Sequence, residues 1–315
     1  MADMRFDLIK CHGSGNDFPL IDARASTLDD AAWAAVARAL ADRDGPVGGD
    51  GLLLLTGGDE TRAFGMRMFN SDGSESETCL NGLRCVARAG FAATGTETAT
   101  ALLKTSDAIV VHDADIAVGV FTVREIAGPA SLDVTAWPME ADADRIVDMA
   151  IPRLPTTRAF TAVAMPNPHL VAFVESVDEA ELVRVGMACE AAPDWLPNRA
   201  NVSFVEVRGT DLFVRTHERG VGLTDSCGSA MAASTFAACL TGRIAYDTPT
   251  TVFNRGGLVR AEAGADGMVT LSGNATVEWT GSVTVDLESG EPRDLVIARR
   301  HDEEIAAWET LRTGM

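Results

Sequence analysis

Lysine is almost absent from this chain of 315 residues, where Lys10 and Lys104 stand against 24 arginines. A pyridoxal-phosphate enzyme holds its cofactor through a lysine Schiff base, so that chemistry would have only two residues to choose from. Basic charge as a whole is in deficit, 26 Lys and Arg against 46 Asp and Glu, for a formal net charge of −20. Nucleic acids and anionic membranes reward a basic face through counterion release, so neither is an expected partner. Six cysteines are too few for a disulfide scaffold. Zinc finds no C-x2-C or H-x3-H spacing to use, and no metal is expected. Long apolar runs are missing as well, none approaching the ~18 residues of a spanning helix. Asp3, Arg5 and Asp7 interrupt Met1–Lys10, which excludes a signal-peptide apolar region there. The expected compartment is the cytoplasm, where cysteines act as packing residues, metal ligands or catalysts.

What is present is an ordinary globular composition, 46% hydrophobic, long enough for two domains at ~150 residues each. Residues 5–22 read as strand, loop and strand around Gly13-Ser14-Gly15-Asn16. A helix follows, with Thr27 as the expected N-cap, Trp33, Val36, Ala37 and Leu40 on one face, and Asp44-Gly45-Pro46 as its stop. Strands at Leu52–Leu55 and Phe64–Phe69 lead to a polar loop, Asn70–Thr78, and a helix opening at Cys79. The stretch from 105 to 160 holds short β-branched runs, Ile109–Val111 and Ile116–Val123 among them, and no chemical motif. Then comes Asn167-Pro168-His169, a strand through Val174, a helix near Asp178–Gly186, and strands Val202–Val207 and Leu212–Thr216. A second polar loop, His217–Ser226, opens a second small-residue helix at Cys227. The last ~25 residues read as an appended amphipathic helix with Ile305, Trp308 and Leu311 on one face. It leaves two readings open, packing on its own domain or a homodimer contact.

The two halves share spacing as well as order. The Asn16–Cys79 interval is 63 residues and the Asn167–Cys227 interval is 60. Asn70 and Glu218 each lie nine residues before their cysteine. Such a repeat predicts two similar domains with one cysteine-headed helix each, facing one another across a cleft. A thiol with a normal pKa of ~8.5 can be acidified by the unpaired N–H groups of a helix N-terminus. One thiolate could then remove a proton from a bound carbon while the other thiol returns one to the far face, with no metal or pyridoxal. The helix N-termini would hold a substrate carboxylate and its developing enolate charge. A buried cysteine is more often a small hydrophobe, and Cys11, Cys85, Cys189 and Cys239 are read that way. Spacing alone leaves both readings of Cys79 and Cys227 open.

The stretch Lys10-Cys11-His12-Gly13-Ser14-Gly15-Asn16-Asp17-Phe18 resembles the opening signature of the diaminopimelate epimerase family. So does Phe69-Asn70-Ser71-Asp72-Gly73-Ser74-Glu75, continuing to Cys79-Leu80-Asn81-Gly82-Leu83-Arg84-Cys85. Asn167-Pro168-His169, Asn201-Val202 and Glu218-Arg219-Gly220 through Cys227-Gly228-Ser229 resemble the remaining signatures, in order, over about residues 5–283. The resemblance implies an α/β (α+β) fold of two pseudo-symmetric domains, each a curled, mostly antiparallel sheet around a central helix, with the active site in the cleft. The halves would be 1–126, completed by the C-terminal strand and helix 282–315, and 127–281. It further implies a cofactor-independent isomerase that interconverts L,L- and meso-diaminopimelate for lysine and cell-wall synthesis, by closing around a small amino-acid substrate.

Carried over residue by residue, the resemblance makes Cys79 and Cys227 the acid–base thiols, with His169 and Glu218 beside the reacting centre. Asn81-Gly82 and Gly228-Ser229 would bind the α-carboxylate. Asn70, Asn167, Asn201 and Arg219 would read the distal end, and Asn16 would add polar contacts. Turn formation is the plainer account of Asn16 and Asn81, and a surface ion pair that of Glu218 and Arg219. Leu80, Pro166 and Ala230 stand where the family has glycine, and Leu223 where it has glutamate. A racemase of proline, hydroxyproline or histidine is the nearest alternative, followed by a non-catalytic amino-acid binding protein.

Overall fold

A computed structural model of the chain describes residues 3–141, 143–165 and 167–314. Pro166 lies outside the described residues. The chain divides into two compact units, one formed by the sequence up to Glu125 together with Ser272 onward, the other by Ile126–Leu271. Both are mixed α/β structures with mostly antiparallel strands, and no helix among the described residues is long and apolar enough to cross a membrane.

The duplication read from spacing is a duplication of topology. In the first unit, strand Asn16–Asp22 runs parallel to Gly51–Gly57, which pairs antiparallel with Phe64–Asn70. A short strand, Glu75–Ser76, then leads into the helix Leu80–Thr94. In the second unit, Pro168–Val174 runs parallel to Asn201–Arg208, which pairs antiparallel with Asp211–Glu218. Gly222–Thr224 then leads into the helix Gly228–Leu240. Each parallel pair is bridged by a crossover helix, as parallel strands require. These are α1 (Asp30–Ala41) and α3 (Glu179–Glu190). The cysteine-headed helices are α2 (Leu80–Thr94) and α4 (Gly228–Leu240), and α5 (Asp302–Thr313) ends the chain.

Local chemistry accounts for the elements and for the departures from expectation. The N-cap of α1 is Asp29, whose carboxylate accepts from the Ala32 N–H at 2.8 Å. A carboxylate there caps and also meets the positive end of the helix dipole, so Asp29 displaces the expected Thr27. The helix ends at Ala41, before Asp44-Gly45-Pro46, and buries Trp33, Val36, Ala37 and Leu40. Between 116 and 123 the expected strand begins only at Thr122. In the second polar loop, His217 and Glu218 still belong to a strand and Gly222–Thr224 returns as its hairpin partner. The appended helix is shorter than expected, because Pro292–Arg300 is a strand paired with Thr276–Asp286. Only Trp308 of α5 is buried.

The two central helices differ in texture. α2 buries Leu83, Val86, Ala87 and Phe91 against Leu53, Leu55, Phe64 and Val110. It stops at Gly95, whose positive φ of 72° forms a left-handed cap bonded back to Phe91. In α4 every residue from Gly228 to Cys239 is buried, so the helix is apolar all round, as an enclosed helix must be.

Candidate active site

Cys79 is the N-cap of α2 and Cys227 the N-cap of α4, both extended, at φ −147°, ψ 104° and φ −137°, ψ 109°. Neither is a helical residue, and each points its sulfur from the position where a helix presents unpaired N–H groups. The Cys79 sulfur accepts from the Gly82 N–H at 3.3 Å and its thiol donates to Asn16 Oδ1 at 3.7 Å. Asn16 is in turn fixed by Asp50, to which its Nδ2 donates, and Asp50 also receives Arg43 at 2.6 Å. Asn70 bonds instead within its own turn, its Nδ2 donating to Ser74 Oγ at 2.9 Å. Asn81 is buried, and its side chain faces the protein interior, accepting from Arg84 Nη2 at 2.8 Å. Gly82 sits where a Cβ would lie 2.7 Å from Leu53 Cδ2 and 3.4 Å from the Cys79 sulfur. Leu80 packs on the core of this unit.

In the second unit the Cys227 sulfur lies 3.5 Å from Ser229 Oγ. Burial first, and then the negative charge of Glu218, push this thiol well above its ordinary value, while the Ser229 hydroxyl and the Ala230 N–H pull the other way. The acidification expected from the helix N-terminus is therefore overridden at Cys227. Glu218 is held by the Thr224 hydroxyl, which donates to Oε1 at 2.6 Å. His169 is fully buried opposite Asn201 in the parallel strand pair. Its Nε2 lies 3.0 Å from Asn167 Oδ1. Its Nδ1 has no hydrogen-bond partner among the described residues. Burial, aided by the positive charge of Arg219, lowers its pKa to about 3, so the ring is neutral. Asn201 Oδ1 accepts the Arg219 N–H at 2.9 Å, and the Arg219 guanidinium donates to Asn198 O at 3.0 Å. Gly228 and Ser229 form the buried first turn of α4, with Ala230 fully buried behind them. Leu223 is 37% exposed, opposite His217 in the hairpin.

The structure thus groups Cys79, Gly82 and Asn16 in one unit, and Cys227, Glu218 and Ser229 in the other. His169 bonds Asn167 and Arg219 bonds Asn201, two pairs that stand side by side at the His169–Asn201 register, while Asn70 bonds within its own turn and the Asn81 side chain bonds into the interior. Sequence reasoning missed Asp50, which meets Asn16 from 34 residues away, and Thr224, which reaches Glu218 across the hairpin. One consequence is directly measurable. Glu218→Gln removes the anion that raises Cys227, so more thiolate is present at pH 8 and alkylation of Cys227 by iodoacetamide speeds up. The gain in thiolate is partly offset by the lower nucleophilicity of a less basic thiol, for a net gain of about threefold. Peptide mapping of the alkylation time course checks it, and a slower Cys227 in the variant contradicts it.

The diaminopimelate epimerase family model matches residues 8–118 and 161–278, well over half of the chain. The chain belongs to the diaminopimelate epimerase family. It is accordingly an enzyme, an isomerase. Among its relatives, the diaminopimelate epimerase of Clostridium acetobutylicum is 38% identical over 290 residues, covering 90% of this chain and 87% of that protein. The diaminopimelate epimerase of Lactiplantibacillus plantarum is 37% identical, covering 96% and 97%. Of solved structures, a predicted epimerase from Pseudomonas aeruginosa superposes with a TM-score of 0.64 at 19% identity, covering 87% of this chain and 98% of that one. A hydroxyproline epimerase from Agrobacterium vitis gives 0.65 at 14%, covering 91% and 93%. At such identities these two share the fold with this family and nothing more specific.

Proposed function

We propose that the chain interconverts L,L- and meso-diaminopimelate in the cytoplasm, with Cys79 and Cys227 as the acid–base pair at the α-carbon. The observation that carries this reading is the matched placement of the two cysteines, each an extended N-cap of the central helix of its own unit. One sulfur, as thiolate, takes the α-proton and the other, as thiol, supplies a proton to the opposite face. The N–H groups at Asn81-Gly82 and Gly228-Ser229 hold the α-carboxylate and the enolate charge that develops on it. The neutral His169 and the anionic Glu218 flank the reacting carbon and receive the α-ammonium group. Arg219 grips the distal carboxylate through its planar fork, while Asn16, Asn70, Asn167 and Asn201 complete the polar lining. Nothing in these steps calls on a cofactor.

A panel assay separates this reading from a racemase of another amino acid, for which Leu80 in place of glycine and Leu223 in place of glutamate are the favouring features. The expected result is epimerisation of diaminopimelate at a kcat/KM at least about 100-fold above that for proline, hydroxyproline or histidine. A site built for a second charged end loses a pairing partner of that size when the end is missing. A preference for any of the other three overturns the substrate assignment.

A further inference from the structure

Arg84 lies one turn inside α2, is fully buried, and is the bulkiest side chain with no solvent exposure. Four of its five N–H groups are engaged. Nε donates to the Asn274 carbonyl at 3.1 Å, Nη1 to Glu125 Oε1 at 2.7 Å, and Nη2 to Ser14 Oγ at 3.1 Å and Asn81 Oδ1 at 2.8 Å. Asn274 closes the set, its Oδ1 accepting the Ser14 N–H at 2.7 Å. At Gly13 an added Cβ would lie 2.5 Å from the Asn81 carbonyl, so the Gly13-Ser14 turn is seated directly on the first turn of α2.

Two of these partners flank the atoms around the Cys79 sulfur. Ser14 is two residues before Asn16, the acceptor of the Cys79 thiol, and Asn81 directly precedes Gly82, whose N–H donates to that sulfur. The other two stand where the chain changes units. Glu125 is the last residue before the chain leaves for the second unit, and Asn274 follows shortly after its return at Ser272. A planar fork of five donors can hold four acceptors at once, which a lysine ammonium cannot.

We infer that Arg84 is a positioning residue for Cys79, fixing the Ser14 turn and Asn81 against the two chain crossings so that Asn16 and the Gly82 N–H meet the sulfur. The inference rests on the reading of Cys79 as an acid–base thiol. Arg84→Lys keeps the charge facing Glu125 and removes the fork. Its kcat falls about 30-fold with KM within threefold, as a small misplacement of a reacting group requires. The pH profile of Cys79 alkylation by iodoacetamide shifts, while that of Cys227 stays as in the native protein. Glu125→Gln retains an acceptor for Nη1 and keeps the native Cys79 profile. If Arg84→Lys is insoluble, the double variant Arg84→Met/Glu125→Met removes the buried pair together, an exchange that cores commonly tolerate, and must show the same selective shift at Cys79. A native Cys79 profile in the soluble variant, or equal slowing of both cysteines, overturns the inference. Alkylation reports the thiol whether or not it catalyses. Full turnover by Cys79→Ala therefore sinks the functional reading without touching this test.

Discussion

Replacing either Cys79 or Cys227 by alanine is expected to lower epimerisation by about 10³–10⁴-fold, the upper range for a positioned general acid or base. The two variants are expected to fail differently. With one thiol gone, the remaining thiolate still reaches the α-hydrogen of the stereoisomer that presents it, and can return a proton only to the face it came from. In deuterated water each variant therefore washes deuterium into one stereoisomer without inverting it, and the two variants select opposite stereoisomers. Mass spectrometry of each isomer, resolved by chiral chromatography, reads both results. Inversion within tenfold of the native rate by either variant would refute the two-thiol assignment. So would exchange of the same stereoisomer by both.

The Cys227 environment adds a constraint on how the pair starts work. Burial and Glu218 keep this thiol protonated in the free protein, which suits a proton donor. On the proposed reading, the ammonium group of the bound substrate would come beside Glu218 and offset the charge that raises the thiol. Substrate binding would then supply part of the acidification that the helix N-terminus alone does not. The same logic explains a neutral His169: a second positive charge beside Arg219 would be desolvated and unpaired, and burial expels the proton.

The repeat was legible because its signals are local. A polar loop, a cysteine and a run of small apolar residues mark the start of a buried helix, and both α2 and α4 begin directly after their cysteine. Spacing also matched Asn70 with Glu218, and both end the strand that pairs with the short strand before their cysteine. The supports of the site were not legible, because their partners are distant. Arg84 sits inside a recognisable motif, yet its acceptor at Asn274 is 190 residues away. Nothing near Arg84 in sequence announces a buried ion pair with Glu125, whose carboxyl burial pushes up to about 7 against the pull of Arg84. Likewise Asp50 reads as one polar residue in a glycine-rich loop until the fold sets it beside Asn16. The choice between Thr27 and Asp29 as the cap of α1 is of another kind. Both residues are good caps, and the one whose carboxylate also meets the helix dipole took the position.

The C-terminal helix was the element whose role sequence left most open, and its packing leads to the second large expected effect, at Trp308. Trp308 is 2% exposed while the rest of α5 is partly or fully in solvent. Its indole lies 5.5 Å from the His12 ring, and α5 is clamped nearby by Glu304, which takes Arg88 at 2.6 and 2.8 Å and the Val277 N–H at 3.2 Å. The helix thus packs on the unit that carries Cys79. Trp308→Ala removes most of its apolar anchor and should cost about 3–5 kcal/mol in urea denaturation at pH 7.5, the usual range for a buried tryptophan. The cost should shrink on acidification. Burial beneath Trp308 lowers His12 to about 4 from its ordinary 6.5. The unfolded chain therefore binds a proton that the native protein refuses, and native stability falls below pH ~6.5 at about 1.4 kcal/mol per pH unit until the folded value is reached. With the indole gone, water reaches His12, its pKa climbs back, and the variant loses less. At pH 5 the gap between native and variant should narrow by about 1–2 kcal/mol. A difference below about 1 kcal/mol at pH 7.5 would show that α5 is dispensable to the fold, and a gap that holds constant or widens at pH 5 would show that the indole is not what keeps His12 dry.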